Sequence, residues 1–249
     1  MPSAHPVALI TGAAKRIGAA IARGLHADGH DLALHYRDSV TEMHALIAEL
    51  NTHRADSAMA LQANLADFDR LPELIANTIG RFGRLDALVN NASGFFPTPF
   101  GQATPQQWDD LFAANARAPF FLAQAAAPHL KATHGAIVNI ADIHAERPLR
   151  DHALYGMSKA ALLHMTRALA VELSPHVRVN AVSPGAILWP ETPAGAKENE
   201  AKTALVARTP LKRIGTVEEI AEAVRWLLRD ATYTTGQIIR VDGGRLLES

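Results

Sequence analysis

Cysteine is absent from the 249 residues of the sequence. Disulfide bonds, thiolate nucleophiles and thiolate metal sites are therefore excluded. The 12 histidines are scattered along the chain, and none has the HExxH spacing of a zinc-binding helix. We therefore predict no metal site.

An excess of charge of either sign and long hydrophobic runs are also missing. The 24 Lys and Arg residues nearly balance the 25 Asp and Glu residues, which leaves a formal net charge of −1 and no electrostatic case for binding nucleic acid or an anionic membrane. No apolar run reaches about 18 residues, the length of a membrane span, and the first residues do not resemble a signal peptide. We expect a cytoplasmic protein with no membrane partner.

Hydrophobic residues, in contrast, make up 48% of the chain, which is enough for a sizeable core. Short apolar segments typical of strands alternate with Ala- and Leu-rich segments of helical periodicity. The predicted strands are Val7–Thr11, Asp31–Tyr36, Ala58–Ala63, Asp86–Asn90, Ala136–Ile140, Arg178–Val182 and Gln237–Val241. The predicted helices are Ile17–Asp28, Val40–Leu50, Pro105–Leu130, Ala153–Leu173 and Val217–Arg229.

This alternation predicts a doubly wound α/β fold, in which helices cover both faces of a parallel sheet. The sequence contains no linker, repeat or low-complexity segment, so a single domain over residues 1–249 is expected. The stretch Ala186–Ala201 is rich in Pro, Gly, Glu and Lys and is predicted to be a loop or lid over a site.

The segment Thr11–Gly18 follows the first strand and precedes a helix. Gly12 permits a tight turn and Gly18 permits close packing of the helix on the sheet, so that the helix N-terminus faces a pyrophosphate. An ordinary glycine turn before a helix is the alternative. The glycines therefore indicate, without proving, a dinucleotide site.

The end of the second strand bears on which nicotinamide cofactor binds. A carboxylate at this place accepts from a ribose 2′-OH, whereas an arginine binds a 2′-phosphate. Arg37 comes first and Ser39 adds a second donor, with Asp38 between them. We predict NADPH; a solvated charged turn is the alternative.

Tyr155 and Lys159 are four residues apart and lie on one helix face. A nearby ammonium can stabilise the phenolate of a tyrosine, whose ordinary pKa is about 10, and can also hold the nicotinamide ribose. Asn91 ends the fourth strand, where doubly wound sheets bind ligands. Asn115 lies inside a predicted helix, as either a catalytic residue or an asparagine with local partners.

These motifs together resemble the short-chain dehydrogenase/reductase family. The glycine loop, Asn-Asn-Ala at 90–92, Asn115, the YxxxK pair and Ser183-Pro-Gly185 occur in that family's order and spacing, from about Val7 to Gly244. The resemblance implies a Rossmann-type sheet of seven strands, a nicotinamide cofactor, a homotetramer and an Asn–Ser–Tyr–Lys catalytic group. At the position of that serine, thirteen residues before Tyr155, this sequence has Asp142.

Aspartate at this position is similar to the pteridine reductases, and three further segments resemble that subfamily. Arg16 replaces the middle glycine of the TGxxxGxG loop, His35–Ser39 is similar to HYxxS, and Asn91–Pro99 is similar to a loop of the form NAS-x-F-x-PTP. The resemblance implies that Phe95 stacks on a pterin and that Arg16 and Ser93 contact pterin and cofactor.

Carried over residue by residue, the resemblance predicts three sets of site residues. The catalytic set is Tyr155, Lys159, Asp142 and Asn115. The cofactor set is Gly12, Arg16, Ile17, Gly18, Tyr36, Arg37, Ser39, Asn64, Leu65, Asn91, Ala92, Ser93, Tyr155, Lys159, Pro184 and Gly185. The substrate set is Arg16, Ser93, Phe95, Asp142, Tyr155, Leu188 and Trp189.

Three members of these sets also have a structural interpretation. Phe95, like Phe96 and Phe100, could anchor its loop in the core; Trp189 could be a packing residue, and Asp142 could be the N-cap of a following turn.

The function predicted from the sequence is NADPH-dependent reduction of a dihydropterin to a tetrahydropterin, with oxidised pterin or folate as further substrates. One alternative is an ordinary carbonyl reductase of a 3-oxoacyl thioester, a sugar or a quinone. Another is a non-catalytic NADP-sensing protein, against which the intact pair of Tyr155 and Lys159 argues.

Overall fold

The computed structural model describes residues 3–187 and 196–247. Seven parallel strands form one sheet in the order β3-β2-β1-β4-β5-β6-β7. The strands are β1 Val7–Ile10, β2 Asp31–Tyr36, β3 Ala58–Gln62, β4 Ala87–Asn90, β5 Ala136–Ile140, β6 Arg178–Pro184 and β7 Ile238–Val241. The predicted Rossmann-type α/β fold with a seven-stranded parallel sheet is confirmed.

The strand order reverses at β1, which pairs with β2 on one side and with β4 on the other. Leu9 stands opposite Ala33 in one neighbour and Leu88 in the other. Every residue of β1, β2, β4 and β5 is buried, as expected for parallel strands covered on both faces. A crevice at the carboxyl ends of strands that flank such a reversal is where doubly wound sheets bind ligands.

The helices lie on both faces of this sheet. They are α1 Arg16–Ala27, α2 Val40–His53, α3 Arg70–Phe82, α4 Pro105–Phe112, α5 Ala118–Thr133, α6 Ala153–Glu172, α7 Ala196–Ala207 and α8 Val217–Arg229. Apolar side chains of α1, α2 and α8 form one core with the sheet, and those of α3, α5 and α6 form the core on the opposite face. Within the described ranges, no helix is long and apolar enough to cross a membrane.

Three elements differ from the sequence-based expectation. The single helix predicted over Pro105–Leu130 is divided into α4 and α5 by a π-helical turn, Ala113–Arg117. Helix α3 was not predicted. Helix α7 begins at Ala196, inside the stretch expected to be irregular, because Glu, Lys and Ala are good helix formers and their polarity was misinterpreted as a loop.

Candidate active site

The phosphate loop between β1 and α1 is shaped by two glycines. Gly12 has a φ of +62°, and a Cβ there would lie 2.9 Å from the Cα of Ala92. A Cβ at Gly18 would lie 2.3 Å from the carbonyl oxygen of Gly12. Any side chain would fill this space, so the backbone leaves a close-fitting cradle that suits the pyrophosphate of a dinucleotide.

Arg16 occupies the place of the middle glycine and adopts a left-handed conformation with a φ of +52°. Glycine reaches this region without steric cost, which is why the related loop carries one there. The side chain of Arg16 is exposed at the N-terminus of α1.

Asn91 connects the end of β4 to this loop. Its Nδ2 donates to the carbonyl oxygens of Thr11 and Gly12, both at 2.9 Å. The backbone N–H of Ala92 donates to the hydroxyl of Thr11 at 3.0 Å. The two predicted cofactor residues Asn91 and Ala92 are therefore built into the wall of the cradle.

His35 is a positioning residue that belongs to the motif His35–Ser39 but is not among the predicted site residues. It is buried in β2, where its Nδ1 accepts from the N–H of Gly12 at 3.1 Å and its Nε2 donates to the carbonyl oxygen of Ala63 at 3.1 Å. Burial lowers its pKa to about 4, so the ring is neutral. A histidine near the end of a strand whose preceding residues, Leu32–Leu34, are all apolar was the available signal.

The turn after β2 carries the charges expected to select the cofactor. Arg37 pairs with Asp38 at 2.5 Å, and both side chains are exposed. Lys15, which was not predicted, pairs with Glu42 at 2.5 Å. Ser39 lies between these pairs, immediately before α2.

The remaining predicted cofactor residues lie around the same sheet edge. Tyr36 and Leu65 are buried, and Asn64 is exposed, with its Oδ1 accepting from Ala66. Gly185 follows Pro184 at the end of β6, and its N–H donates to Val241 at 3.0 Å. Ile17 is half-buried in α1.

Asp142 and Tyr155 are in direct contact. The hydroxyl of Tyr155 donates to Oδ2 of Asp142 at 2.7 Å. The other oxygen, Oδ1, accepts from the N–H of His144 at 2.8 Å and caps the turn Ile143–Ala145. The carboxylate therefore fulfils both interpretations considered from the sequence: it caps a turn and it contacts the tyrosine.

The surroundings raise the pKa of Tyr155, whereas a lowered value was expected from Lys159. Burial is the largest cause, followed by the charge of Asp142 and its hydrogen bond, and the nearby Ser93 has a smaller opposing effect. The phenol therefore keeps its proton at neutral pH, and in these surroundings it is a weaker acid than an unperturbed tyrosine.

Lys159 lies one turn further along α6 and is almost completely buried. Its Nζ donates to the carbonyl oxygen of Ile140 at 2.9 Å and is 6.0 Å from the ring centre of Tyr155. Burial lowers its pKa from 10.5 to about 8, and the charge of Asp142 partly opposes that shift. The ammonium is therefore mostly charged at neutral pH and loses its charge as the pH rises through about 8.

Asn115 is fully buried in the π-helical turn, with every polar group of its side chain satisfied. Its Oδ1 accepts from Ser93 Oγ and Gly94 N, both at 3.0 Å, and its Nδ2 donates to Gly94 O and Ser158 Oγ. Ser158 donates in turn to the carbonyl oxygen of Tyr155 at 2.7 Å. Asn115 thus holds the Ser93 loop against the tyrosine helix, and a direct catalytic role stays a prediction.

Phe95 stands at the mouth of this group of residues. It is 58% exposed, so it is not an anchor in the core, and Phe100 is 99% exposed. The ring of Phe95 stacks on the ring of His152, with 4.7 Å between ring centres, and meets the ring of Tyr155 edge-on at 4.8 Å. A planar surface therefore lies directly beside the proton-donating phenol.

Two predicted substrate residues, Leu188 and Trp189, lie outside the described residues. Among those described, no group of three or more His, Asp or Glu side chains could hold a metal ion. The described site thus consists of a phosphate cradle, the Tyr155–Asp142 pair, a buried lysine and an exposed aromatic ring.

Comparison with known proteins agrees with this geometry. A family model described as enoyl-(acyl carrier protein) reductase matches residues 12–245. Pteridine reductase 1 of Leishmania tarentolae is 37% identical over 281 aligned positions, which cover 96% of each chain. A 3-oxoacyl-(acyl-carrier-protein) reductase of Staphylococcus aureus is 36% identical over 240 residues, which cover 95% of this chain and 96% of the relative. The chain therefore belongs to the short-chain dehydrogenase/reductase family and is an oxidoreductase that uses a nicotinamide cofactor.

Proposed function

We propose that this protein is an NADPH-dependent reductase that converts dihydropterins to tetrahydropterins and accepts oxidised pterin or folate as further substrates. The observation that carries the proposal is the 2.7 Å hydrogen bond between Tyr155 and Asp142. It places a carboxylate where the reduction of a carbonyl needs a neutral hydroxyl.

The charge that develops during reduction distinguishes the two substrate classes. Reduction of a carbonyl creates an alkoxide, which an ionised Asp142 would repel. Reduction of a C=N bond adds a hydride, supplied by the bound nicotinamide, to carbon, and the adjacent nitrogen takes a proton. The phenol of Tyr155 can donate that proton, and Asp142 can accept from a ring N–H when ionised or relay a proton when protonated.

The exposed ring of Phe95 supports a planar substrate. It stands edge-on to Tyr155, so a flat heterocycle stacked on it would lie close to the phenol. The N–H and C=O edge of a pterin would be within reach of Ser93 and Arg16, both of which are exposed at the same edge of the sheet. A small ketone has no flat surface that needs this platform.

Charges at the end of β2 support NADPH. Arg37 and Lys15 supply two cations near Ser39, and a 2′-phosphate could replace their present carboxylate partners. Asp38 and Glu42 compete with the phosphate for the same cations, so we expect the preference over NADH to be moderate.

A second candidate function is reduction of a 3-oxoacyl thioester. Ser93 lies close enough to Tyr155 to lower the pKa of its phenol, and it could supply the neutral hydroxyl that Asp142 does not. The similarity to the staphylococcal reductase, at 36% identity, supports the same alternative.

The deciding experiment is a comparison of initial NADPH oxidation rates with dihydrobiopterin, dihydrofolate, a quinone and an acetoacetyl thioester. We expect turnover of both pterins and slow reduction of the other two. Rapid thioester or quinone reduction without pterin turnover would favour the second candidate. Binding of NADPH with no turnover of any substrate would instead indicate a cofactor-sensing protein.

A further inference from the structure

Three arginines, Arg147, Arg208 and Arg245, lie on separate segments of the chain that pack together near the turn carrying Asp142. Arg147 follows the turn that Asp142 caps, and its N–H donates to the carbonyl oxygen of Ile143 at 2.9 Å. The guanidinium of Arg147 reaches across to the C-terminal segment, where Nη1 donates to the carbonyl oxygen of Arg245 at 2.8 Å. The turn that carries Asp142 is thus tied to the segment that carries Arg245.

Arg208 reaches the same place from the end of α7. The residues after it pack against the two glycines that precede Arg245: the N–H of Leu211 donates to the carbonyl oxygen of Gly243 at 3.1 Å, and a Cβ at Gly244 would lie 2.9 Å from Pro210. The backbone contacts therefore hold Arg208 and Arg245 near one another.

Electrostatic effects on Arg245 agree with this geometry. Burial lowers the pKa of Arg245 most, and the charges of Arg147 and Arg208 lower it further, while Asp142 and Asp242 raise it. Arg245 therefore lies within the electrostatic reach of both other arginines and of the carboxylate in the candidate active site.

None of the three guanidinium groups has a carboxylate within 4.0 Å in the described part of the chain, although ten other arginines do. Neighbouring carboxylates are engaged elsewhere. The two oxygens of Asp242 accept from the N–H groups of Gly244 and Leu246, and Glu146 pairs with Arg240 at 2.5 Å. Clustered cations repel one another, so a cluster of arginines that has no direct ion pair is one that an anion would stabilise.

We propose that Arg147, Arg208 and Arg245 form a subsite for an anionic group on the substrate, outside the part of the substrate that reacts at Tyr155. The class of ligand is a carboxylate or phosphate, which guanidinium groups bind through charge-assisted hydrogen bonds. The choice of substrate rests on the proposed function. On a pterin the group would be the glutamate tail of a folate, and on a thioester it would be the phosphate of coenzyme A.

The test measures equilibrium dissociation constants for two matched pairs of ligands with the NADP⁺-loaded enzyme. The first pair is dihydrofolate and its glutamate dimethyl ester, and the second is acetoacetyl-coenzyme A and acetoacetyl-N-acetylcysteamine. Within each pair only one ligand carries the anionic tail. We expect the wild-type protein to bind dihydrofolate about tenfold more tightly than its ester, as loss of charge-assisted bonds predicts.

The variants R208Q and R245Q should each remove most of that preference. Arg208 is exposed, and its side chain makes no hydrogen bond to the described residues, so R208Q carries little risk to folding. R70Q is the matched control, because Arg70 is an exposed arginine on α3 whose partner is Glu73, far along the chain from the cluster. It should leave the preference unchanged.

Each outcome decides one of the two proposals. Equal binding of charged and uncharged ligands in both pairs, or a preference that survives in both variants, would overturn the anion subsite. A charge preference confined to the thioester pair, abolished by R208Q, would support the subsite and contradict the pterin proposal. If both pterin ligands bind tightly and neither pair of ligands shows a charge preference, the anion subsite is contradicted while the pterin proposal stands.

Discussion

At the scale of single residues, the two oxygens of Asp142 have different partners: Oδ1 accepts from the N–H of His144 and Oδ2 accepts from Tyr155. A substitution can keep the first contact and change the second. Asn at this position keeps an oxygen that can accept from His144 but removes the charge beside Tyr155. We expect D142N to lower dihydrobiopterin turnover by about 10², the contribution typical of a general acid–base group. D142S restores a neutral hydroxyl and should raise thioester reduction relative to pterin reduction.

Steady-state kinetics with dihydrobiopterin and an acetoacetyl thioester measure both effects. Y155F is the comparison, because removal of the phenol should lower turnover of both substrates while leaving NADPH binding nearly intact. Full pterin activity in D142N would contradict the proposed role of the carboxylate.

Lys159 predicts a pH dependence of activity. Its pKa of about 8 means that the ammonium loses its charge as the pH rises through that value. If the charge holds the cofactor and supports the phenol, kcat/KM should fall above pH 8. Because the guanidinium of arginine stays charged to far higher pH, K159R should retain its remaining activity through this range.

Loss of the folded state would not explain a fall of kcat/KM above pH 8. The pKa of Lys159 is 10.5 when unperturbed and about 8 in the folded chain, so the unfolded chain binds more protons between these values. This group therefore makes folding more favourable as the pH rises across that window. A wild-type kcat/KM that stays constant from pH 7 to pH 10 would refute the role given to the ammonium.

His35 predicts a loss of stability in acid. Its folded pKa of about 4 lies below the unperturbed 6.5, so its contribution is present above pH 6.5 and is lost as the pH falls towards 4. By proton linkage the protein should lose about 2 kcal/mol of unfolding free energy through this group between pH 7 and pH 5. Denaturant unfolding of wild type and H35N at both values measures the difference.

The same position offers a matched pair of variants for the cofactor loop. The amide oxygen of Asn can replace Nδ1 and accept from Gly12, whereas the amide nitrogen of Gln can replace Nε2 and donate to Ala63. We expect H35N to retain most of the NADPH affinity and H35Q to bind NADPH more weakly. Equal affinities would show that the contact with Gly12 does not shape the phosphate loop.

At the scale of elements, the turn between β2 and α2 sets the cofactor preference that we propose. R37A should cost roughly 1.5–3 kcal/mol of NADPH binding, because a charge-assisted bond to the 2′-phosphate is lost. D38N should strengthen NADPH binding, since it frees Arg37 from the carboxylate 2.5 Å away. Ratios of kcat/KM for NADPH and NADH measure both variants, and equal efficiency in the wild type would contradict the NADPH proposal.

Most strands and helices of the fold were predicted from the pattern of apolar residues within a single segment of the chain. The seven apolar runs became the seven strands with small changes at their ends, because continuous burial in a parallel sheet leaves a continuous apolar signal. Helix α3 was missed although Leu71, Leu74, Ile75 and Phe82 repeat at helical spacing along one buried face. The π-helical turn at Ala113–Arg117 leaves no such pattern.

The candidate site was less predictable, because its geometry depends on contacts between distant segments. Tyr155, Lys159 and Asp142 were identified from motif spacing, but the hydrogen bond from Tyr155 to Asp142 and the raised pKa of that tyrosine follow from the fold. His35 binds residues that lie 23 and 28 positions away. A sequence pattern reveals such contacts only after the sheet order is known.

At the scale of the whole molecule, the family resemblance implies that the helices predicted over Pro105–Leu130 and Ala153–Leu173 form the interface between subunits. Large apolar side chains remain exposed on the corresponding helices α4, α5 and α6. Trp108 on α4, Phe120 on α5, and Met157 and Val171 on α6 are 41%, 40%, 48% and 79% exposed. Aromatic and Met side chains are enriched where protein surfaces associate. These positions favour the homotetramer that the family resemblance predicts.

Sedimentation at micromolar concentration tests this prediction, with four chains expected in the wild-type particle. F120D should shift the distribution to smaller particles, because it would bury an unpaired charge between subunits. V40D is the matched control: Val40 is 41% exposed, nearly the same as the 40% of Phe120, but lies on α2. A monomeric wild-type protein would contradict the tetramer. Dissociation of the F120D and V40D variants alike would contradict the proposed interface, because only Phe120 lies on the helices that we expect to associate.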